Sequence, residues 1–370
     1  MFGFITKRLT PMTRRRLDVF WRQPRSKIGI FFMLLVIAVT GSAELISNDK
    51  PFYVSRNVTI MDNLTQDQLD EMEDEEFAKL PKERRSFYPL FKDYTPYDFG
   101  LRDAFVVDYK ELAEQDKEDG LDTSFIWTLH PWGPSETVDS NLPPSNEHPL
   151  GTDMSGQDVL SNLIYGTRTA ILFALCTWAL ATFCAIVIGG IQGFYGGWLD
   201  FSIERYQELN SAIPSLFVAI LASSVFDFRG FFPMVIIFSL WAGWIFPSEF
   251  IRSQFLQLRK KEFCEAAISL GASNGRVMFK HILPNAITPL LVTSPFTISG
   301  YITLLTILDF LGYGMPSEDP SLGALLRQGQ ALIQEAPWLV LGPSFVLFGT
   351  ILSINLIGQG LREAFDPRAG

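Results

Sequence analysis

Residues 169–199 read TAILFALCTWALATFCAIVIGGIQGFYGGWL, thirty-one positions without a charged side chain. Crossing the hydrocarbon core of a bilayer takes about 20 residues of helix. A run this long and this evenly apolar has no polar stripe to turn toward water, so its solvent is lipid. Lipid offers backbone groups no partners, which makes the run helical in spite of its glycines.

Five further uncharged runs lie outward from it. They cover residues 28–43, 209–226, 231–248, 284–308 and 337–360, and the first extends to Ile46 once Glu44 snorkels to the interface. Six transmembrane helices are therefore expected, with Pro214, Pro233, Pro247, Pro289, Pro295 and Pro343 inside helical segments. A composition 48% hydrophobic suits a multispan membrane protein better than a soluble enzyme. Gly41-Ser42-Ala43 has the small residues of a signal-peptide cleavage site. The 27 residues ahead of the first run exceed a usual leader, so that run is read as a retained span.

Basic residues set the orientation. Residues 1–27 carry Lys7, Arg8, Arg14, Arg15, Arg16, Arg22, Arg25 and Lys27 against Asp18 alone. This basic N-terminus is expected in the cytoplasm. Six spans return the tail, residues 361–370, to the same side. The loop 251–283 falls there too, with Arg252, Arg259, Lys260, Lys261, Arg276 and Lys280. Charge and parity agree.

Segment 47–150 falls outside and holds 10 Lys/Arg against 23 Asp/Glu, so the net charge of -10 comes from there. Its length suffices for a small domain. TQDQLDEMEDEEFAKLPKERR at 65–85 is expected to form an acidic helix, with short strands and turns around FYPLFKDYTPYDFG and FIWTLHPWGPS. The acidic run lacks the spaced ligand loop of a calcium site and is read as a solvated face. Asn57 and Asn63 begin Asn-x-Thr triplets, a pattern frequent by chance. Residues 151–168, after the insertion, suggest a short surface helix capped by Ser155, with Val159, Leu160, Leu163 and Ile164 on one face and an end at Gly166. Asp153 and Asp158 are not read as metal ligands. Cys176, Cys184 and Cys264 have no disulfide-framework or zinc-finger spacing and are read as buried hydrophobes.

Between the fourth and fifth spans lies EFCEAAISLGASNGRVMFKHILPN, residues 262–285. Residues 254–270 are good helix sequence without Gly or Pro. Gly271 supplies a left-handed end, Ser273 or Asn274 can cap a second short helix, and Pro284 suits the first turn of the fifth span. The result is a helical elbow standing off the membrane. Ala266, Ala267 and Ser269 leave it a thin surface, and Glu265 offers one charge-assisted bond. Such an elbow can seat in a partner's groove, or be an ordinary amphipathic loop.

The spacing Glu265-Ala266-Ala267, then Gly271, then Ile282-Leu283-Pro284 resembles the coupling loop of permease subunits in bacterial ABC importers. GTDMSGQDVLSNLIYGTR at 151–168, GFYGGWLD at 193–200 and LDFLGYGMPSEDPSLGALL at 308–326 are similar to the dipeptide/oligopeptide branch. The long insertion, SAELISNDKP after the first span and the terminal FDPR look most like Yej-type permeases of peptide and microcin C importers. The resemblance covers nearly the whole chain and is weakest over 52–130.

It implies the type I importer permease architecture, all-α apart from an α+β periplasmic insertion, in the bacterial inner membrane. It implies docking on a cytoplasmic ATPase subunit through Glu265, Ala266, Ala267 and Gly271, with Pro284 closing the motif. Arg276 and Lys280 would touch either that ATPase or lipid headgroups. ATP and Mg would sit on the ATPase, with no cofactor or metal on this chain. A second related permease would complete the path, and a periplasmic binding protein would deliver peptide. Ser294, Thr297, Ser299, Thr303 and Thr306 would line the path or hydrogen-bond between helices.

Other classes fit less well. No G-x-x-x-x-G-K-[ST] occurs, against a self-powered ATPase, and no H-E-x-x-H occurs, against a zinc peptidase. GASNG at 271–275 matches G-x-S-x-G but follows a helix rather than a strand. No internal repeat or mid-span charge suggests a secondary transporter. A sensor or scaffold using the acidic segment is the remaining alternative.

Overall fold

The structure is a computed structural model and describes residues 11–61, 72, 76, 79–101 and 106–366. The chain divides into two units, Gly41–Ile164 and a second made of Met1–Thr40 with Tyr165–Gly370. It opens with two helices, α1 (Pro11–Arg22) and α2 (Pro24–Gly41), meeting at Gln23.

The unit Gly41–Ile164 holds a three-stranded antiparallel sheet, β1 (Tyr53–Thr59), β2 (Lys82–Phe87) and β3 (Ser124–Ile126), with β1 in the middle. Val54 faces Phe87 and Val58 faces Glu83 across β1–β2, and Tyr53 faces Ile126 across β1–β3. A helix, α3 (Tyr109–Glu118), is capped by Asp108, whose carboxylate accepts the N–H groups of Lys110 and Glu111. Val54, Val58, Phe87, Phe99, Tyr109 and Leu112 form the core. The rings of Phe87 and Phe99 lie 4.3 Å apart. Arg56 of β1 pairs at 2.8 Å with Asp116, which is fully buried on α3. Separating such a pair costs about 3–5 kcal/mol, because one charge stays behind uncompensated.

The acidic helix expected over 65–85 lies mostly outside the described residues. Its last part is strand instead. Residues 82–85 pair with β1, Arg84 donates to Ser55 at 2.9 Å, and it reaches Asp122 at 2.8 Å. Cross-strand pairing overrides helix propensity there.

The helix α4 (Val159–Tyr195), which belongs to the other unit from Tyr165 onward, is followed there by α5 (Gly197–Ser211), α6 (Ser215–Phe226), α7 (Phe231–Phe238), a π segment at Ser239–Gly243, α8 (Ile245–Leu258) and α9 (Glu262–Ser269). Single turns follow, then α10 (Thr288–Leu311), α11 (Leu322–Ala331) and α12 (Trp338–Phe365). Among the described residues, four helices, α2, α4, α10 and α12, are long and apolar enough to cross a membrane. Two bent pairs, α5–α6 at 69° and α7–α8 at 43°, raise the number to six if each pair is one span.

Both bends have local causes. Pro214 caps α6 in an extended conformation that α5 cannot continue through. In the second pair, Pro247 has no N–H for the Gly243 carbonyl four residues back. The Tyr301 hydroxyl approaches that carbonyl at 3.5 Å.

Backbones also approach closely between α4 and α8. A Cβ on Gly189 would fall 2.4 Å from the Ser248 carbonyl oxygen, and one on Gly193 would fall 2.6 Å from that of Arg252. The pair is a G-x-x-x-G face on which a neighbouring backbone rests directly. A second core joins Phe173 and Ala174 of α4, Met234 and Phe238 of α7, and Ile302, Leu305 and Leu308 of α10.

Several expected boundaries are corrected. The short helix ending at Gly166 is instead the start of α4, which runs unbroken to Tyr195. Gly166 serves close approach: its Cβ would lie 3.2 Å from the backbone of Ser321 and Leu322. Ser155 is not its cap, since the Ser161 N–H is accepted by Asp158 at 2.8 Å. The helical segment expected from 209 begins at Gly197, and the one expected to end at 248 extends to Leu258. Charges beginning at Glu208 and Glu249 hid both extensions, within which Arg252 pairs with Asp200 and Glu204.

Candidate functional site

The elbow is built on a small apolar core of its own. Cys264 and Ala267, three residues apart on α9, turn inward onto Ile251 and Phe255 of α8. Val277, Met278 and Ile282 close the core from the returning chain. The expected single helix over 254–270 is broken at residues 259–261, because α9 has to fold back over the end of α8 to bury that face. Lys261 is extended there, and its carbonyl accepts the Cys264 N–H at 2.9 Å.

Gly271 ends α9 with φ +82°, and the Ala272 N–H reaches the Ala267 carbonyl at 3.0 Å. This is the left-handed closure that glycine accepts without strain. Ser273 stands at the head of the next turn, Asn274–Arg276, without a side-chain cap bond. A π segment, Val277–Ile282, then leads into Leu283–Ala286 with Pro284 in its first turn.

Inward anchoring leaves the opposite face of α9 free. Glu265 and Ala266 are exposed, as are Gly271 and Arg276, while Ala267 is buried. Phe263, Ile268 and Leu270 also stand exposed, Leu270 at 89%. Phe263, Ala266 and Leu270 recur at i, i+3 and i+7, one helical stripe. The elbow therefore presents an apolar face with an acid beside it on a rigidly packed base. The three large side chains escape a motif reading. They become visible once Cys264 and Ala267 are assigned inward.

The hydroxyls of α10 are satisfied within their own helix. Ser294 donates to Leu291 O at 2.7 Å, Thr303 to Ser299 O at 3.0 Å and Thr306 to Ile302 O at 2.9 Å, while Thr297 lies 3.4 Å from Thr293 O. Ser299 also lies 3.2 Å from the Asn355 side chain of α12. Ser299 and Thr306 are buried, and Ser294, Thr297 and Thr303 are half-buried.

The family model for the binding-protein-dependent transport system inner membrane component matches residues 185–370, which include the whole elbow. The chain belongs to this family. Relatives extend the likeness beyond it. The inner membrane ABC transporter permease protein YejE of Escherichia coli (strain K12) is 32% identical over 97% of this chain and 98% of its own. The peptidoglycan transport system permease protein YejE of Agrobacterium fabrum is 32% identical over 97% and 94%. The oligopeptide transport system permease protein OppC of Bacillus subtilis is 32% identical over 66% of this chain and 79% of its own.

One convergence of titratable groups lies outside the family match. In the unit Gly41–Ile164, Asp158 is buried between two imidazoles. His130 Nε2 lies 2.9 Å from one carboxylate oxygen and His148 Nδ1 lies 2.8 Å from the other. Both nitrogens serve as N–H donors, since an ionised carboxylate only accepts. The Trp132 ring packs against that of His148, tilted by 43° with centroids 4.4 Å apart. Burial pushes the Asp158 carboxyl up, but hydrogen bonds from His130, the Ser161 backbone and His148 outweigh it and hold it below its ordinary 3.8.

A carboxyl with a depressed folded-state pKa stabilises fully above its unfolded value, and that stability is lost as pH falls through the folded value. Thermal unfolding followed by tryptophan fluorescence should thus weaken in the native chain as pH drops below about 3.8. Asp158→Asn should reduce this slope and lower stability at neutral pH by about 3 kcal/mol. Asp93, also held low, and Asp200, paired with Arg252, still contribute to the slope. An unchanged slope in the variant would contradict the assignment.

Proposed function

We propose that this chain is the membrane-spanning permease subunit of an ATP-binding-cassette importer that moves peptides from periplasm to cytoplasm. A separate ATPase drives it through residues 262–284. The observation that carries the reading is the elbow: an exposed face with Phe263, Glu265, Ala266 and Leu270 on a base anchored by Cys264 and Ala267. A lever needs a surface that a partner can grip and an interior that does not yield. The peptide cargo rests on the relatives, among which the OppC protein is named for oligopeptide transport.

In this reading each bent pair is one span and the spans number six. Both termini and the elbow are cytoplasmic, in line with their basic residues. The insertion between the first two spans is periplasmic, where a peptide-binding protein docks. A second, related permease completes the path, and the half-buried Ser294, Thr297 and Thr303 of α10 line it. Buried Ser299 and Thr306 hold helices together. Glu265, Ala266 and Gly271 meet the ATPase directly, Ala267 holds the elbow's shape, and Arg276 flanks it at its exposed turn. ATP and Mg belong to the partner.

The reading is tested by uptake of a labelled tripeptide into cells lacking the chain and into cells complemented with it. Complementation should restore uptake, and depleting the cells of ATP should abolish it. Equal uptake with and without the chain would refute a role in peptide import.

A further inference from the structure

A row of polar bonds leads from the elbow to the break in the bent pair α5–α6. Asp200, Glu204, Gln207 and Asn210 lie four, three and three residues apart on α5, so they share one face. That face meets α8 and the π segment before it. The Arg252 guanidinium donates to both carboxylate oxygens of Asp200, at 2.5 and 2.8 Å, and to Glu204 at 3.2 Å. Gln207 is buried and donates to the Ser248 hydroxyl at 2.8 Å. Asn210 donates to the Trp241 carbonyl inside the π segment. The row begins on the last two turns of α8, just ahead of the elbow, and ends beside the 69° break.

We propose that Arg252 is a positioning residue for coupling, a clamp that makes α5 and α8 one rigid arm. A two-pronged guanidinium–carboxylate bond fixes direction as well as distance, which a single ammonium contact does not. Arg259, at the end of α8, ties the same arm to α4 by donating to the Phe194 carbonyl at 2.7 Å. The close contact of Gly193 with the Arg252 backbone leaves α8 no freedom to slide there. A displacement imposed on α9 is carried by α8, transmitted through Arg252 to α5, and released at the break as a swing of α6. This inference rests on the elbow being the ATPase dock.

The test uses the full transporter, reconstituted in proteoliposomes with its ATPase, second permease and binding protein. Three quantities are read: retention of the ATPase, ATP hydrolysis, and labelled tripeptide imported per ATP. Arg252→Ala should keep the ATPase bound and hydrolysing while import per ATP falls tenfold or more. Asp200→Asn, which keeps the side-chain volume, should do the same and stands in should Arg252→Ala not accumulate. Arg252→Lys, with the charge but not the fork, should recover part of the ratio. Import per ATP within twofold of the native value in both Arg252→Ala and Asp200→Asn would overturn the clamp, as would loss of the ATPase from both. The elbow is scored separately with residues 262–274 replaced by a Gly/Ser linker. ATPase retention by that chain would sink the docking reading, and the clamp with it.

Discussion

Glu265→Lys combined with Gly271→Val should abolish peptide uptake and leave the chain folded in the membrane. The two changes act by different routes. Glu265 is exposed on α9, so reversing its charge costs the fold little. At an interface the same reversal places like charges together or strands a partner's cation, an effect on the order of 2–5 kcal/mol, or roughly 30-fold to several thousand-fold in docking. Gly271 has open space around its Cα, so valine would meet no neighbour. The penalty is in the backbone. A β-branched residue at φ +82° costs about 1–3 kcal/mol, and the turn relieves it by re-aiming α9. Each single variant should lower uptake at least tenfold, with normal amounts of chain in the membrane. Normal uptake in both would mean that the elbow does not transmit work.

Gly193→Leu should strongly destabilise the membrane unit. Even a Cβ at this position would sit 2.6 Å from the Arg252 carbonyl oxygen and 2.7 Å from the Phe255 Cβ. Neither atom is the end of a flexible side chain, so α4 and α8 would have to separate. Overpacking of this kind costs about 3 kcal/mol or more, a large part of a typical folding free energy. Gly349→Ala on α12 is the control, because nothing lies within 4 Å of its added Cβ. There the gain in helix propensity, about 1 kcal/mol, should leave stability unchanged or improved. Thermal aggregation in mild detergent separates the two. Gly193→Leu should aggregate well below the native chain and Gly349→Ala at or above it.

The helical class is legible from residues 169–199 and from the other uncharged runs, because lipid admits only helices and closed barrels, and continuous apolar runs of this length lack the alternation of barrel strands. Boundaries are less legible, for one physical reason. The uncharged runs begin only after Glu208 and stop at Glu249, whereas α5 and α8 carry charges along their length, with Arg252 pairing to Asp200 and Glu204. Partners fifty residues apart leave no local signature. Gly166 misleads in a related way. Glycine at a helix end and glycine under a neighbouring backbone look the same in sequence, and here Ser321 and Leu322 rest on it. In the elbow, the motif residues and the left-handed Gly271 can be read directly. The inward turn of Cys264 and Ala267, and with it the exposed stripe of Phe263, Ala266 and Leu270, depends on the break at 259–261. The knot of His130, His148 and Asp158 was not legible either, since its members come from three separate turns and match no motif.

The central claim is that this permease is driven by a separate ATPase gripping the elbow. It is tested most directly by purifying the tagged chain from its native membrane in mild detergent and identifying its partners by mass spectrometry. The purification is repeated with residues 262–274 replaced by a Gly/Ser linker. The account predicts an ATPase and a second permease with the intact chain, and loss of the ATPase alone from the altered one. An ATPase retained by the altered chain, or missing from the intact one, would contradict it.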